Sequence, residues 1–162
     1  MNKLSELLHQ RDIALASNRL KTLLASVGEL TFQGFVADSE EPIALGRLWR
    51  AIARYDAVPS SKIERDSLKA DVSKWLRDCL ANVNINGGCY ISIGSFGDLP
   101  WTRVSVDPNG DWLLALWEQL NYHDMMIMSS NKDVILAFIE EEHGFEAYIK
   151  NVCCKTEIKI GE

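Results

Sequence analysis

At Asn86-Gly87-Gly88 the apolar residues of this chain change their spacing, from the 3.6 of a helix to the 2 of a strand. Upstream, Leu4, Leu7 and Leu8 and then Leu20, Leu23, Leu24 and Val27 predict one long helix over residues 3–27, with Gly28 placed for a left-handed C-cap. The stripe changes face between Arg11 and Ile13, a point at which that helix would bend or split. Residues 31–36 read as a short extended segment. A second helix starting near Pro42 carries Leu45, Leu48, Trp49 and Ile52 on one face and stops before Pro59. Ser61-Lys62-Ile63-Glu64 fits a capping box, in which hydroxyl and carboxylate satisfy each other's orphan amides, and so predicts a helix start. The third helix then shows Leu68, Val72, Trp75, Leu76, Cys79 and Leu80 as its core stripe.

Downstream, Cys89, Ile91 and Ile93 alternate with Tyr90 and Ser92, and residues 101–106 alternate again before the turn Asp107-Pro108-Asn109-Gly110. Asp111 stands as a cap for a short helix holding Leu113, Leu116, Trp117 and Leu120, although the six apolar residues from 112 to 117 also suit a buried strand. Residues 125–129, 134–142 and 145–151 read as strands turned by Ser130-Asn131-Lys132 and His143-Gly144, with a last short strand over residues 157–160. Helices first and a meander second predict an α+β class: a helical N-terminal half followed by a mainly antiparallel β-sheet with one short helix. With 162 residues, 47% of them hydrophobic, the chain suffices for a single domain over residues 1–162.

No apolar run approaches the ~18–20 residues that span a bilayer. The first twelve residues alternate charge with Leu and lack the apolar block of a signal peptide, which leads us to expect a cytoplasmic protein. Cys79, Cys89, Cys153 and Cys154 lack Cys-x-x-Cys spacing, and we read all four as free thiols, buried small hydrophobes before redox switches or metal ligands.

Charge is distributed unevenly. Residues 1–108 carry 13 basic and 13 acidic side chains, whereas residues 109–162 carry 4 and 10, which is the whole net charge of −6. Asp111, Glu118, Asp124, Asp133, Glu140, Glu141, Glu142 and Glu146 face a single base, Lys132, between residues 111 and 148. A strongly acidic stretch argues against direct nucleic-acid or anionic-membrane binding and suits a basic partner, while a plain solvated sheet face accounts for it equally well. Trp101, Trp112, Trp117, Tyr122 and Tyr148 are candidate aromatic anchors beside it, or simply core. We take Asp111, Glu118, Tyr122, Asp124, Glu140, Glu141, Glu142 and Glu146 as the candidate partner-binding residues. On the strand proposed for residues 134–142, Glu140 and Glu142 share a face and Glu141 takes the other.

Catalytic and cofactor signals are weak. Glu6-x-x-His9 and Glu140-x-x-His143 both match the Glu-x-x-His spacing of di-iron bundles, but the second falls on a strand and turn, so no metal is expected. His123 and Asp124 are strand neighbours pointing to opposite faces, which denies them a His-Asp relay, and no nucleophile elbow accompanies them. Gly94-Ser95-Phe96-Gly97 lacks the Lys-Ser/Thr of a phosphate loop and reads as an ordinary loop, and Met125, Met126 and Met128 read as core. We expect no catalytic residue and no cofactor.

Tyr122-His123-Asp124, the strand at residues 125–129, Ser130-Asn131-Lys132-Asp133 and the strand at 134–142 ending beside His143 form an ordered run. It resembles the C-terminal part of immunity proteins of contact-dependent inhibition and related polymorphic toxin systems, over roughly residues 110–150. There a strand, a Ser-rich turn and a second strand lead into an acidic His-Glu-like stretch; here the order is Glu142-His143. The resemblance implies a small cytosolic protein, monomeric or weakly dimeric, that binds one cognate toxin C-terminal domain, often a nuclease, and blocks it without catalysis. Two other readings stay open: an enzyme with a scattered active site, and an adaptor that uses its helical half.

Overall fold

The structure, a computed structural model, describes residues 3–36, 45–52, 57–96, 99–108 and 111–152. In chain order the elements are α1 (Lys3–Ser26), β1 (Leu30–Phe35), α2 (Leu45–Ile52), β2 (Ser61–Glu64), α3 (Lys69–Leu80) and β3 (Gly88–Ile93). A 3₁₀ turn (Gly94–Phe96), β4 (Thr102–Val106), α4 (Trp112–Gln119), β5 (Met125–Met128), β6 (Val134–Glu140) and β7 (Gly144–Asn151) follow. The fold is α+β, built on one seven-stranded sheet in the order β1-β4-β3-β5-β6-β7-β2, antiparallel throughout.

Two apolar cores sit on the two faces of that sheet. On one, Leu20 and Leu24 of α1, Trp75, Leu76 and Cys79 of α3 and Trp112, Leu116 and Trp117 of α4 cover Cys89, Ile91, Val104, Ile127, Leu136 and Phe138. On the other, Ile52 of α2 and Val36 join Tyr90, Trp101, Met126, Met128, Ile135, Ala137 and Tyr148. Central strands are therefore wrapped on both sides, which is why β5 reads Met-Met-Ile-Met without a polar position and is buried throughout. The same double cover buries Tyr90 and Ser92, which alternation alone would have placed on an open face. Trp75, Trp117, Phe138 and Phe145 meet edge to face, with centroids 5.0–5.9 Å apart, and join α3 and α4 to β6 and β7.

Several local expectations need correction. Ser61-Lys62-Ile63-Glu64 is the edge strand β2 and not a helix start: Ile63 pairs with Phe145 and Lys62 with Glu146, while α3 begins at Lys69 with no side-chain cap. Tertiary pairing of an alternating tetrapeptide outweighs a local capping pattern. The Ser61 hydroxyl instead accepts a hydrogen bond from Trp75 Nε1 at 2.8 Å. After α1 the left-handed residue is Glu29 (φ 67°) and not Gly28, and α1 runs unbroken past Arg11. Asp111 precedes α4 without making a side-chain cap. Gly144 opens β7 and does not lie in the turn: a Cβ there would overlap the Ile63 carbonyl oxygen of β2, so only glycine lets the edge strand close. The strand expected at residues 157–160, the helix start at Pro42, the Asn109-Gly110 turn, Gly97, Cys153 and Cys154 lie outside the described residues.

Candidate functional site

The β5–β6 hairpin aligns Met125 with Phe138 and Met128 with Ile135, so continuing the ladder by two residues sets His123 opposite Glu140. The structure closes that rung with side chains. Glu140 accepts hydrogen bonds from His123 through its backbone N–H (3.0 Å) and its ring Nδ1 (2.9 Å), and its own backbone N–H donates to Asp124 Oδ1 at 2.8 Å. An ionised carboxylate only accepts, so Nδ1 carries the hydrogen. From β2, Arg65 donates Nη1 to Glu140 at 2.8 Å and Nη2 to the Glu141 carbonyl at 2.6 Å, and its guanidinium lies 5.4 Å from the Phe145 ring. The imidazole of His123 is packed on Trp117 (4.3 Å between centroids) and against Phe145 (4.9 Å). Loop 120–124, the β6–β7 turn and the end of β2 thus form one tied end of the sheet.

Desolvation acts to raise the Glu140 carboxyl, but the hydrogen bonds from the His123 ring, the His123 backbone and Arg65 together outweigh it and hold the group below its ordinary value. Glu146 is held low by Lys62, which faces it in register across β2–β7, and then by the Tyr148 hydroxyl. Burial first, and the Glu146 carboxylate second, push the Tyr148 phenol up to about 12.

Folding neutralises much of what looked unbalanced in the sequence. Glu146 pairs with Lys62, Glu140 with Arg65, Glu118 with Lys69, and Asp111 lies 3.8 Å from Arg77. Asp124 holds the Glu140 amide, and Asp133 accepts from Ser129 and Asn131 in the β5–β6 turn. Glu141 and Glu142 remain at the exposed β6–β7 turn, beyond the end of β6; the shared face expected for Glu140 and Glu142 is corrected accordingly, because the strand stops at Glu140. Among the described residues Glu142 has the exposed His143 near it, at 3.8 Å. Of the aromatic candidates, Trp101, Trp112, Trp117 and Tyr148 are core, whereas Tyr122 is 68% exposed in the loop that His123 anchors to Glu140. The structure joins Asp124 and Glu140 by hydrogen bonds at one end of the sheet, with Tyr122 preceding His123 and Glu141 and Glu142 following Glu140, while Glu146 pairs with Lys62 one rung away, Glu118 with Lys69, and Asp111 lies near Arg77. Arg65 and His123, which organise this end, were missing from the expected set.

As chemistry, the His123–Glu140 pair is closed. The imidazole packs on Trp117 and meets Phe145 edge to face, and among the described residues no Ser, Thr or Cys is hydrogen-bonded to it. Neither Glu-x-x-His motif assembles: His9 is exposed on α1, His143 sits at the turn tip, and no three His, Cys, Asp or Glu converge among the described residues. A shallow recess lined by Leu20, Ile91, Ile93, Phe96, Leu99 and Thr102 has no titratable group and no room for even a water molecule, against the roughly 300–1,000 Å³ usual for ligand sites. No described helix is long and apolar enough to cross a membrane. Set against family models, curated proteins and solved structures, the chain matches none.

Proposed function

We propose that the acidic end of the sheet docks a basic protein domain, and that this chain acts as an immunity protein that neutralises a toxin by binding it rather than by catalysis. The observation that carries the reading is the pairing of two exposed carboxylates, Glu141 and Glu142, which have no Lys or Arg partner among the described residues, with the exposed ring of Tyr122 on one cross-braced end. An exposed aromatic beside a charged rim is the composition of an interface anchor. The bracing by Arg65, Glu140 and His123 reduces the ordering cost of association, because the backbone that presents these groups is already fixed. A nuclease toxin suits the surface best, since a groove that accepts a phosphate backbone must itself be basic. Steering between opposite charges accelerates encounter, an advantage for an inhibitor acting in the cytoplasm before damage accumulates.

The test uses the toxin C-terminal domain encoded beside this gene. Association rates are measured against ionic strength for the wild type and for Glu141→Lys/Glu142→Lys, with urea melts of both. We expect association about tenfold slower at low salt, a small difference near 1 M salt where the Debye length is about 3 Å, and melts within about 0.5 kcal/mol. An unchanged rate in a folded variant, or a gene with no toxin domain beside it, overturns the proposal.

A further inference from the structure

The first half of α1 lies outside both cores. Every residue from Lys3 to Asp12 is exposed, and the packed stripe of Ile13, Ala16, Leu20, Leu23 and Leu24 belongs to the second half. Leu4 (62% exposed), Leu7 (56%), Leu8 (48%) and Leu15 (44%) form another row. At 100° per residue this row runs along the side of the helix opposite the packed stripe. In heptad terms Leu4, Arg11 and Asn18 take a, Leu7 and Ala14 take d, and Leu8 and Leu15 take e, the three-in-seven face of a helix that packs on another helix.

Charge narrows the occupant. The neighbours of Arg11 three and four residues away are Leu7, Leu8, Ala14 and Leu15, all apolar. Among the described residues neither Arg11 nor Asp12 has an ion-pair partner. The row therefore presents one cation, Arg11, with one anion, Asp12, on its flank.

We infer that the occupant is a second copy of this chain, with α1 packed antiparallel on α1 about a two-fold axis between residues 9 and 10. In that register Leu4 meets Leu15 of the second copy, and Leu8 meets the aliphatic stem of Arg11. Helical side chains lean toward their own N-terminus, so Arg11 of one copy and Asp12 of the other lean toward each other and pair twice by symmetry. A parallel arrangement would set Arg11 against Arg11. The four leucines expose on the order of 350 Å² per copy, so the pair buries at most about 700 Å², below the ~1,200 Å² of stable interfaces, and the dimer is weak. The row sits on the helix that packs on β1, at the opposite edge of the sheet from β2 and β7, and leaves the acidic end free.

Sedimentation velocity of the full chain from about 5 µM to 1 mM tests this, alongside urea melts and circular dichroism. The wild type should move from monomer toward twice its mass across that range. Leu8→Glu should weaken association at least tenfold with an unchanged melt, as Leu8 touches neither core. Arg11→Glu and Asp12→Arg should each weaken it, and the two combined should restore it, which a variant that merely misfolds would not do. A wild type that stays monomeric to 1 mM, a Leu8→Glu chain that associates as before, a double swap that fails to recover, or an Arg11→Glu chain that associates more tightly would each overturn the inference.

Discussion

Replacing Glu140 by Ala removes the acceptor for three donors at once: the His123 amide, the His123 ring and one arm of Arg65. Hydrogen bonds to a charged acceptor contribute about 1.5–3 kcal/mol when shielded from water. Glu140 and His123 are each under a fifth exposed, so their two bonds keep much of that value, whereas Arg65 is about half exposed and retains its bond to the Glu141 carbonyl. Its share shrinks to roughly 0.5 kcal/mol. We therefore expect a loss of about 2–3 kcal/mol, or about 5–10 °C in Tm for a chain of this length. Glu140→Gln, which keeps one carbonyl acceptor, should lose about half as much. Because the Glu140 carboxyl is held below its unfolded value, its contribution is fully present above about pH 4.3 and disappears as the pH falls through the folded value. Urea unfolding followed by tryptophan fluorescence, with Trp117 stacked on His123 as the local reporter, should show the wild-type and Glu140→Ala curves drawing together as the pH falls below about 4.3. A difference under 0.5 kcal/mol at pH 7, or one that persists unchanged to pH 3, would refute this account of the hub.

Gly144→Ala places a Cβ against the Ile63 carbonyl and should detach β2, costing about 1–3 kcal/mol and exposing the amides of β2 and the outer edge of β7 to hydrogen exchange; unchanged protection there would count against the register. Burial pushes the Cys89 thiol up to about 12 and the Cys79 thiol to about 11, so both should resist alkylation at pH 8 in the folded chain and react once it is unfolded in urea. Peptide mapping after labelling reads this directly, and rapid modification of Cys89 in the native protein would show that the sheet core opens.

What the sequence disclosed and what it hid divides along the distance over which each interaction acts. The second half of the α1 stripe, the Trp75, Leu76 and Cys79 stripe of α3, the α4 stripe, the β5–β6 and β6–β7 hairpins and the burial of the methionines are local patterns and were legible, whereas Leu4, Leu7, Leu8 and Leu68, expected in those stripes, are exposed, Leu68 ahead of α3. The edge position of β2 was not legible, because the reason for it lies in Gly144 and Phe145, some eighty residues away, while the competing capping signal lies within four residues. For the same reason a local tally of charge exaggerated the acidic stretch: Lys62, Arg65, Lys69 and Arg77 reach it only through the fold. The His123–Glu140 pair was within reach. Once Ser129 and Val134, the ends of the two expected strands, are set opposite each other, counting outward along the hairpin sets 123 opposite 140, a pairing that sequence adjacency to Asp124 does not reveal.

The positions of β1 and β2 also bear on how the chain is made. Adjacent strands in sequence, they occupy opposite margins of the sheet, about 29 Å apart at ~4.8 Å per strand. Among the described residues β1 pairs with β4, about seventy residues later, and β2 with β7, about eighty residues later. A nascent chain can wind α1 and α3 as it leaves the ribosome, yet neither early strand can be paired until far more of the chain has emerged. Such long-range pairing slows folding. Assembly should thus be a late and concerted event of synthesis, completed only once β7 has been made.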